Sequence, residues 1–172
     1  MSGRQMMATR TYLEMRDPRD LRPAPAPRVP FSIARVENCP PGLWRFLYVE
    51  VGRRYRWIDR LDWTDAEAAA YLSDPAVSLW ILSVEDQPAG YFELKRDGAG
   101  DVELAYFGII HAFTGQGLGG HLLTVATEEA WRLEPAHRVW LHTCDLDHPG
   151  ALPNYLSRGY RITHTENYIV AI

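Results

Sequence analysis

The residues whose types and spacing say most about chemistry are Gly115-Gln116-Gly117-Leu118-Gly119-Gly120. They follow an apolar, strand-like run. They also open a stretch in which Leu118, Leu122, Ala126, Ala130 and Leu133 recur at helical spacing until Pro135. Glycines let a main chain approach a ligand closely, and the free N–H groups and positive dipole end of a helix favour an anionic oxygen. The spacing predicts a backbone cradle for phosphate from Thr114 to Gly120. A second cluster, His142, Cys144, Asp145, Asp147 and His148, mixes residue types that bind zinc. Its spacing fits no structural zinc pattern, and strand alternation sends His142 and Asp145 to opposite faces. No metal is expected.

Two nucleotide folds are excluded by the residues around the glycines. A Walker loop needs Lys and then Ser or Thr after its last glycine, and this chain has His121 and Leu122. Gly115, Gly117 and Gly120 do match the G-x-G-x-x-G spacing of a dinucleotide fold, with Asp145 downstream. The chain ends too soon after them for a second mononucleotide half, and the segments before them read as hairpin strands rather than βαβ units.

Those segments are Val77 to Val84, Ala89 to Leu94 and Val102 to Ile110, separated by the turns Asp86-Gln87-Pro88 and Asp97-Gly98-Ala99-Gly100. Short turns make them an antiparallel meander. Beyond the glycine-opened helix come a strand at Arg138 to Cys144 and a helix from about Pro149 to Arg158, closed by Gly159. Two further strands, Tyr160 to Thr165 and Asn167 to Ile172, are expected after it. Upstream, Thr11 to Met15 reads as a strand. Arg22-Pro23-Ala24-Pro25-Ala26-Pro27 reads as an extended connection into a strand at Phe31 to Val36. Pro40-Pro41-Gly42 opens a helix over Leu43 to Val51, and Thr64-Asp65-Ala66-Glu67 is a capping box for another that ends before Pro75.

Phe107-Gly108-Ile109-Ile110-His111-Ala112-Phe113-Thr114-Gly115-Gln116-Gly117-Leu118-Gly119 resembles the strand and acetyl-CoA loop of the GCN5-related N-acetyltransferase (GNAT) superfamily. Downstream, Ala151 to Tyr160 resembles that family's second segment, in which a helix-borne Tyr and a Gly-aromatic pair end a helix and start a strand. The likeness runs from about Leu79 to Tyr160. Thr114 stands where the family usually has Arg or Gln, and His148 where it often has Asn. The implied fold is α/β, with a mixed, mostly antiparallel central sheet flanked by helices. The expected organisation is a single domain over 1–172, with 1–30 supplying an N-terminal strand and a Pro-rich connection.

What the resemblance implies about the site is specific. Acetyl-CoA is the implied cosubstrate, held by Phe107, Ile109, Thr114, Gly115, Gln116, Gly117, Leu118, Gly119, Gly120, His148 and Asn154. An amine attacking a thioester must lose a proton, and the departing thiolate benefits from a donor. Glu103, on the strand leading to the loop, is the expected base, with Glu93 as its substitute. In regular alternation Glu103 shares a face with Ala105 and Phe107. Tyr155 is the expected acid. The implied activity is transfer of an acetyl group from acetyl-CoA to a primary amine by direct attack; the rival reading is a non-catalytic acyl-CoA-binding or sensor module. Trp44, Phe46, Tyr48, Tyr55, Trp57 and Trp63 either wall an acceptor pocket or form packing faces. Glu50, Asp59 and Asp62 are candidates for holding a cationic acceptor.

Composition bounds the partners. At 172 residues and 47% hydrophobic content the chain can bury one core. It carries a net charge of -4, which disfavours a polyanion-binding body, although Met1 to Arg35 is locally basic. The expected partners are a small-molecule or peptide amine acceptor, with neither nucleic acid nor membrane, and a homodimer as one open assembly. Two unpatterned cysteines, Cys39 and Cys144, and the lack of an apolar leader in Met1 to Arg10 lead to the expectation of a cytoplasmic protein with free thiols.

Overall fold

In chain order, the strands of the computed structural model are Gln5–Met15 (β1), Phe31–Arg35 (β2), Val77–Val84 (β3), Gln87–Arg96 (β4), Asp101–Ile109 (β5), Arg138–Cys144 (β6) and Arg161–Ala171 (β7). The helices are Pro41–Gly52 (α1), Asp65–Leu72 (α2), Leu118–Arg132 (α3) and Ala151–Ser157 (α4). Residues 4–171 are described. Met1 to Gly3 and Ile172, parts of the expected N-terminal segment and last strand, lie outside them. Among the described residues no helix is long and apolar enough to cross a membrane.

All seven strands join one sheet in the order β2-β3-β4-β5-β6-β1-β7. The meander β3-β4-β5 forms as its turns dictate. The capping box is present in both directions, with the Glu67 N–H donating to Thr64 Oγ1 at 3.2 Å and the Thr64 N–H to Glu67 Oε2 at 2.7 Å. One core lies between the sheet and the α3/α4 layer, with Leu118, Leu122, Leu123, Ala126 and Ala130 buried against Val102, Leu104, Val139 and Leu141. A second, smaller core on the other face packs α1 and α2 over Leu79 and Tyr91.

The end of the sheet differs from the expected pair of C-terminal strands. Residues 161–171 form one strand, because Thr165-Glu166-Asn167 contains neither Gly nor Pro and β1 pairs with β7 from Gln5↔Ala171 to Glu14↔Arg161, with one irregularity beyond Tyr12. β1 also pairs antiparallel with β6, from Arg10↔Cys144 to Met15↔Val139. The N-terminal strand is therefore an interior strand. The Pro-rich connection crosses the α3/α4 layer to reach β2 at the opposite edge, tied there by the Arg22 N–H to Arg158 O and the Ala24 N–H to Thr124 Oγ1, each 2.9 Å.

Two departures from regularity position the site. β5 and β6 are parallel and pair only at Asp101↔Arg138, Val102↔Val139 and Glu103↔Trp140, after which they separate. In addition, β5 carries an extra residue: Leu94 pairs with Leu104 and Glu93 with Tyr106, so Ala105 is bulged. The bulge resets the alternation. Val102, Leu104, Phe107 and Ile109 belong to the α3 side, whereas Tyr106 packs on the α1 side and Gly108 meets Val51 of α1. Glu103 thus shares its face with Tyr106 and Gly108, which corrects the expected grouping with Ala105 and Phe107.

An interior β1 makes a quantitative demand. Leu13 is 1% exposed, and Leu13→Ala is expected to cost about 2–5 kcal/mol in urea unfolding. A loss below about 1 kcal/mol would show that β1 is a dispensable arm.

Candidate active site

A cavity of about 690 Å³ occupies the gap between β5 and β6. Its lining reaches from the glycine loop to the loop after α1, and it includes Phe107, Ile109, Thr114, Gly115, Gly117 to Gly120, His148, Asn154, Tyr155 and Glu103. Of the residues expected to hold acetyl-CoA, Gln116 alone does not line it; its side chain is exposed.

The loop is built by local chemistry. A 3-10 turn at His111–Phe113 ends at Thr114, whose Oγ1 donates to His111 O at 2.8 Å, so the hydroxyl is used inside the loop. Gly117 is the N-cap of α3 with φ 75°, a left-handed conformation that glycine adopts without a Cβ penalty. No side chain caps the helix there. The first-turn N–H groups of a 15-residue helix thus face the cavity with the dipole's positive end behind them.

α4 closes the same end. Asn154 Nδ2 donates to Gly119 O at 3.2 Å, committing one of its two amide N–H groups to the first turn of α3. His148 Nδ1 accepts the Gly150 N–H at 2.9 Å, and the His148 ring meets Tyr55 edge-on at 5.7 Å. Tyr155 is buried, with its ring 6.1 Å from that of Phe107, and burial raises its phenol above the ordinary value. Both Asn154 and Tyr155 line the cavity.

Glu103 is half-buried, and desolvation raises its carboxyl above the ordinary range, with Lys95 and Arg60 partly opposing the shift. No salt bridge of 4.0 Å or less involves it among the described residues. Glu93 is different. Fully buried, it accepts from Trp44 Nε1 at 2.7 Å, from Arg60 Nη1 at 3.1 and 2.9 Å, and from the Tyr71 hydroxyl at 2.9 Å. The expectation that Glu93 substitutes as base is corrected: its oxygens are committed to donors. Arg60 in turn lies 4.0 Å over the Tyr106 ring and 4.3 Å over that of Tyr71. Burial alone would lower the Arg60 pKa, but Glu93 and the two phenols outweigh it and raise it.

The aromatic cluster accordingly divides. Trp44 and Trp63 pack around the Arg60–Glu93 pair, Tyr48, Tyr55 and Trp57 line the cavity, and Phe46 is exposed. Among the acids, Asp59 lines the cavity and Glu50 pairs with Arg53. Of the zinc-like cluster, His142, Cys144, Asp147 and His148 line the cavity, while Asp145 bonds the Thr9 N–H on β1. Asp147 Oδ2 accepts from Thr143 Oγ1 at 2.6 Å and from the Cys144 N–H at 2.9 Å. No set of three such residues is placed to share an ion among the described residues.

The Arg60–Glu93 pair was missed in the sequence because its partners lie 33 residues apart and one of them sits in a loop. Removing one partner strands a buried charge. Glu93→Gln is expected to lose about 3–5 kcal/mol of stability in denaturant melts, and Arg60→Met with Glu93→Leu to lose less than the single change. Parental stability of Glu93→Gln would refute this assignment.

Comparison with known proteins bears on the whole arrangement. The acetyltransferase (GNAT) family pattern matches residues 41–160. No curated protein sequence matches the chain. Solved structures that resemble it include a GCN5-related N-acetyltransferase from Kribbella flavida, with 20% identity, a TM-score of 0.67, and coverage of 98% of this chain and 60% of that one. A tandem GNAT protein from the clavulanic acid biosynthesis pathway has 15% identity and a TM-score of 0.60, covering 96% and 53%. An acetyltransferase from Thermus thermophilus has 18% identity and a TM-score of 0.58, covering 86% and 100%. The chain spans little more than half the length of the first two. These likenesses show the GNAT fold, and the family pattern takes in α1, the glycine loop and α4: the chain belongs to the acetyltransferase (GNAT) family.

Proposed function

We propose that this chain transfers an acetyl group from acetyl-CoA to a primary amine of a small molecule or peptide by direct attack, with residues 1–172 acting as one catalytic unit in the cytoplasm. Family membership supports acyl transfer from an acyl-CoA in general. The observation that carries the finer reading is the continuity of one cavity from the uncapped start of α3 to Glu103. The two free cysteines are compatible with a reducing compartment.

The residues present fit coenzyme A. Gly117 to Gly120 would hold the pyrophosphate on N–H groups that no side chain caps. Beyond Glu103 the β6-facing edge of β5 has no strand partner, so its N–H and C=O groups are free to bond the amides of the pantetheine arm. When bound, acetyl-CoA supplies an acetyl carbonyl activated as a thioester.

The chain's own groups then have distinct tasks. An acceptor that arrives as an ammonium has no lone pair, and Glu103 takes its proton on a carboxylate oxygen. Because burial raises the Glu103 pKa, that oxygen binds a proton more readily near neutral pH than an ordinary carboxylate. Tyr155 keeps its phenolic proton and donates it toward the sulfur. Tyr48, Trp57 and Asp59 line the acceptor end, where rings and an acid attract a cationic amine. Holding both reactants in the gap can supply on the order of 7 kcal/mol of the barrier.

Two experiments test this reading. At Gly119 a Cβ would meet Asn154 and Ile109 no closer than 3.9 Å, so Gly119→Val should fold while its branches enter the cavity. Coenzyme A affinity, measured by calorimetry, is expected to fall about 10-fold or more, which is about 1.4 kcal/mol; parental affinity in the folded variant would contradict the placement. Glu103→Gln should lower kcat/KM at neutral pH by about 100-fold. The deficit should shrink as pH rises and the acceptor deprotonates by itself. Superimposable pH profiles would remove Glu103 from the base role. Coenzyme binding without thiol release across an amine panel would favour a sensor instead.

A further inference from the structure

Across the β4–β5 pairing Lys95 stands directly opposite Glu103, and both line the cavity that reaches the glycine loop. They also line a second cavity, of about 250 Å³, together with Asp101, Arg138 and Trp140. Directly opposed residues of an antiparallel pair share a face, with Cβ atoms about 4.5–5.5 Å apart. Opposite charges so placed normally pair. Here they do not: among the described residues no acid lies within 4.0 Å of the Lys95 ammonium, Glu103 included.

The Lys95 ammonium instead lies 5.8 Å from the centre of the Tyr71 ring, and the Arg60 guanidinium lies 4.3 Å over the same ring. Two cations thus share one aromatic neighbour, while Glu93 pairs with Arg60 alone. The other charges of the second cavity are largely spent. Arg138 is held by Glu14 and Asp101 at 2.6 and 2.8 Å, and Asp97 accepts the N–H groups of Ala99 and Asp101 at 2.8 and 3.0 Å. Arg96, also lining it, is a further cation with no acid within 4.0 Å among the described residues. What stays uncommitted is a carboxylate with an ammonium beside it, and a ligand carrying both charges would answer both.

We propose that Lys95 determines acceptor specificity by binding a carboxylate carried next to the amine that Glu103 deprotonates, so that the preferred acceptor class is an α-amino acid. The assignment rests on the acetyl-transfer reading above and narrows its acceptor. In an α-amino acid both charges stand on one carbon, which suits two side chains that are neighbours across a ladder. Tyr48, Trp57 and Ile58 line the same cavity and offer apolar surface to the acceptor's own side chain. An amine without a carboxylate leaves Lys95 unpaired when the site closes around it. A carboxylate on Lys95 also offsets one of the two cations that oppose the raised Glu103 pKa, so binding of the matching acceptor strengthens the base.

The test offers phenylalanine, leucine and methionine to the protein with acetyl-CoA, each alongside its decarboxylated amine, and follows thiol release. The parent should favour each amino acid over its amine partner in kcat/KM. Lys95→Met should cut that preference about 5- to 10-fold, between the worth of a screened ion pair and that of a charged hydrogen bond covered by its ligand. The loss should appear in KM, Lys95→Arg should keep most of the preference, and added salt should erode it in the parent. Because the preference is a ratio within one protein, a folding defect cancels from it. A parent that turns over the decarboxylated amines as well as the amino acids, or a preference that survives Lys95→Met, overturns the proposal and leaves acetyl transfer to amines in place. Silence with all these probes also overturns it, and silence across a wider panel of amines overturns the acetyl-transfer reading with it.

Discussion

Everything at the site depends on one break in hydrogen bonding: after Glu103↔Trp140, β5 and β6 stop pairing. Parallel strands buried on both faces normally continue their ladder, because unpaired N–H and C=O groups removed from water are costly. Here the ladder opens and the space between the strands becomes the cavity. The polar edge of β5 is then accessible to a ligand that can satisfy it. A site of this kind is made by the sheet itself, and loops only finish it.

Two half-sheets must hold their shape for such a break to persist. On one side, α1 lies so close to β5 that Val51 Cγ1 occupies the space of a Gly108 side chain, and Arg60 and Glu93 lock the α1–α2 connection to β4. On the other side, β1 is hydrogen-bonded to both β6 and β7 and gives that half a three-stranded width. The gap is bridged at few points, among them Tyr55 against His148 and Arg56 bonded to Ala171 O. Glu103 takes its position from the last place where β5 and β6 still pair.

Much of this was legible in the sequence where the signal is local. β3 and β6 begin and end at the expected residues, because runs of β-formers bounded by turn residues specify themselves. The capping box at Thr64 and the left-handed glycine before α3 are likewise short-range chemistry. What was not legible is pairing over distance. Thr11 to Met15 reads as a strand, but nothing in it states that β6 and β7 are its neighbours. The bulge at Ala105 leaves no mark, since alanine fits either alternation, and it alone moves Glu103 onto the face of Tyr106. Glu93 and Glu103 look equivalent in sequence. Arg60, reaching in from a loop, makes one of them structural, and among the described residues the other has no ion pair within 4.0 Å.

The placement of β1 also governs how the chain can reach its native state. Both of its neighbours in the sheet come from beyond residue 137, so its contacts span most of the chain. During synthesis the first strand waits for the last two, while the β3-β4-β5 meander forms from nearby segments. High sequence separation slows folding, since loop entropy is lost before contacts compensate. Until β6 and β7 emerge, β1 has two unpaired edges, and its alternation of Met6, Ala8 and Tyr12 with Met7 and Leu13 is a template for other strands. The half of the sheet that braces the open ladder is the half completed last.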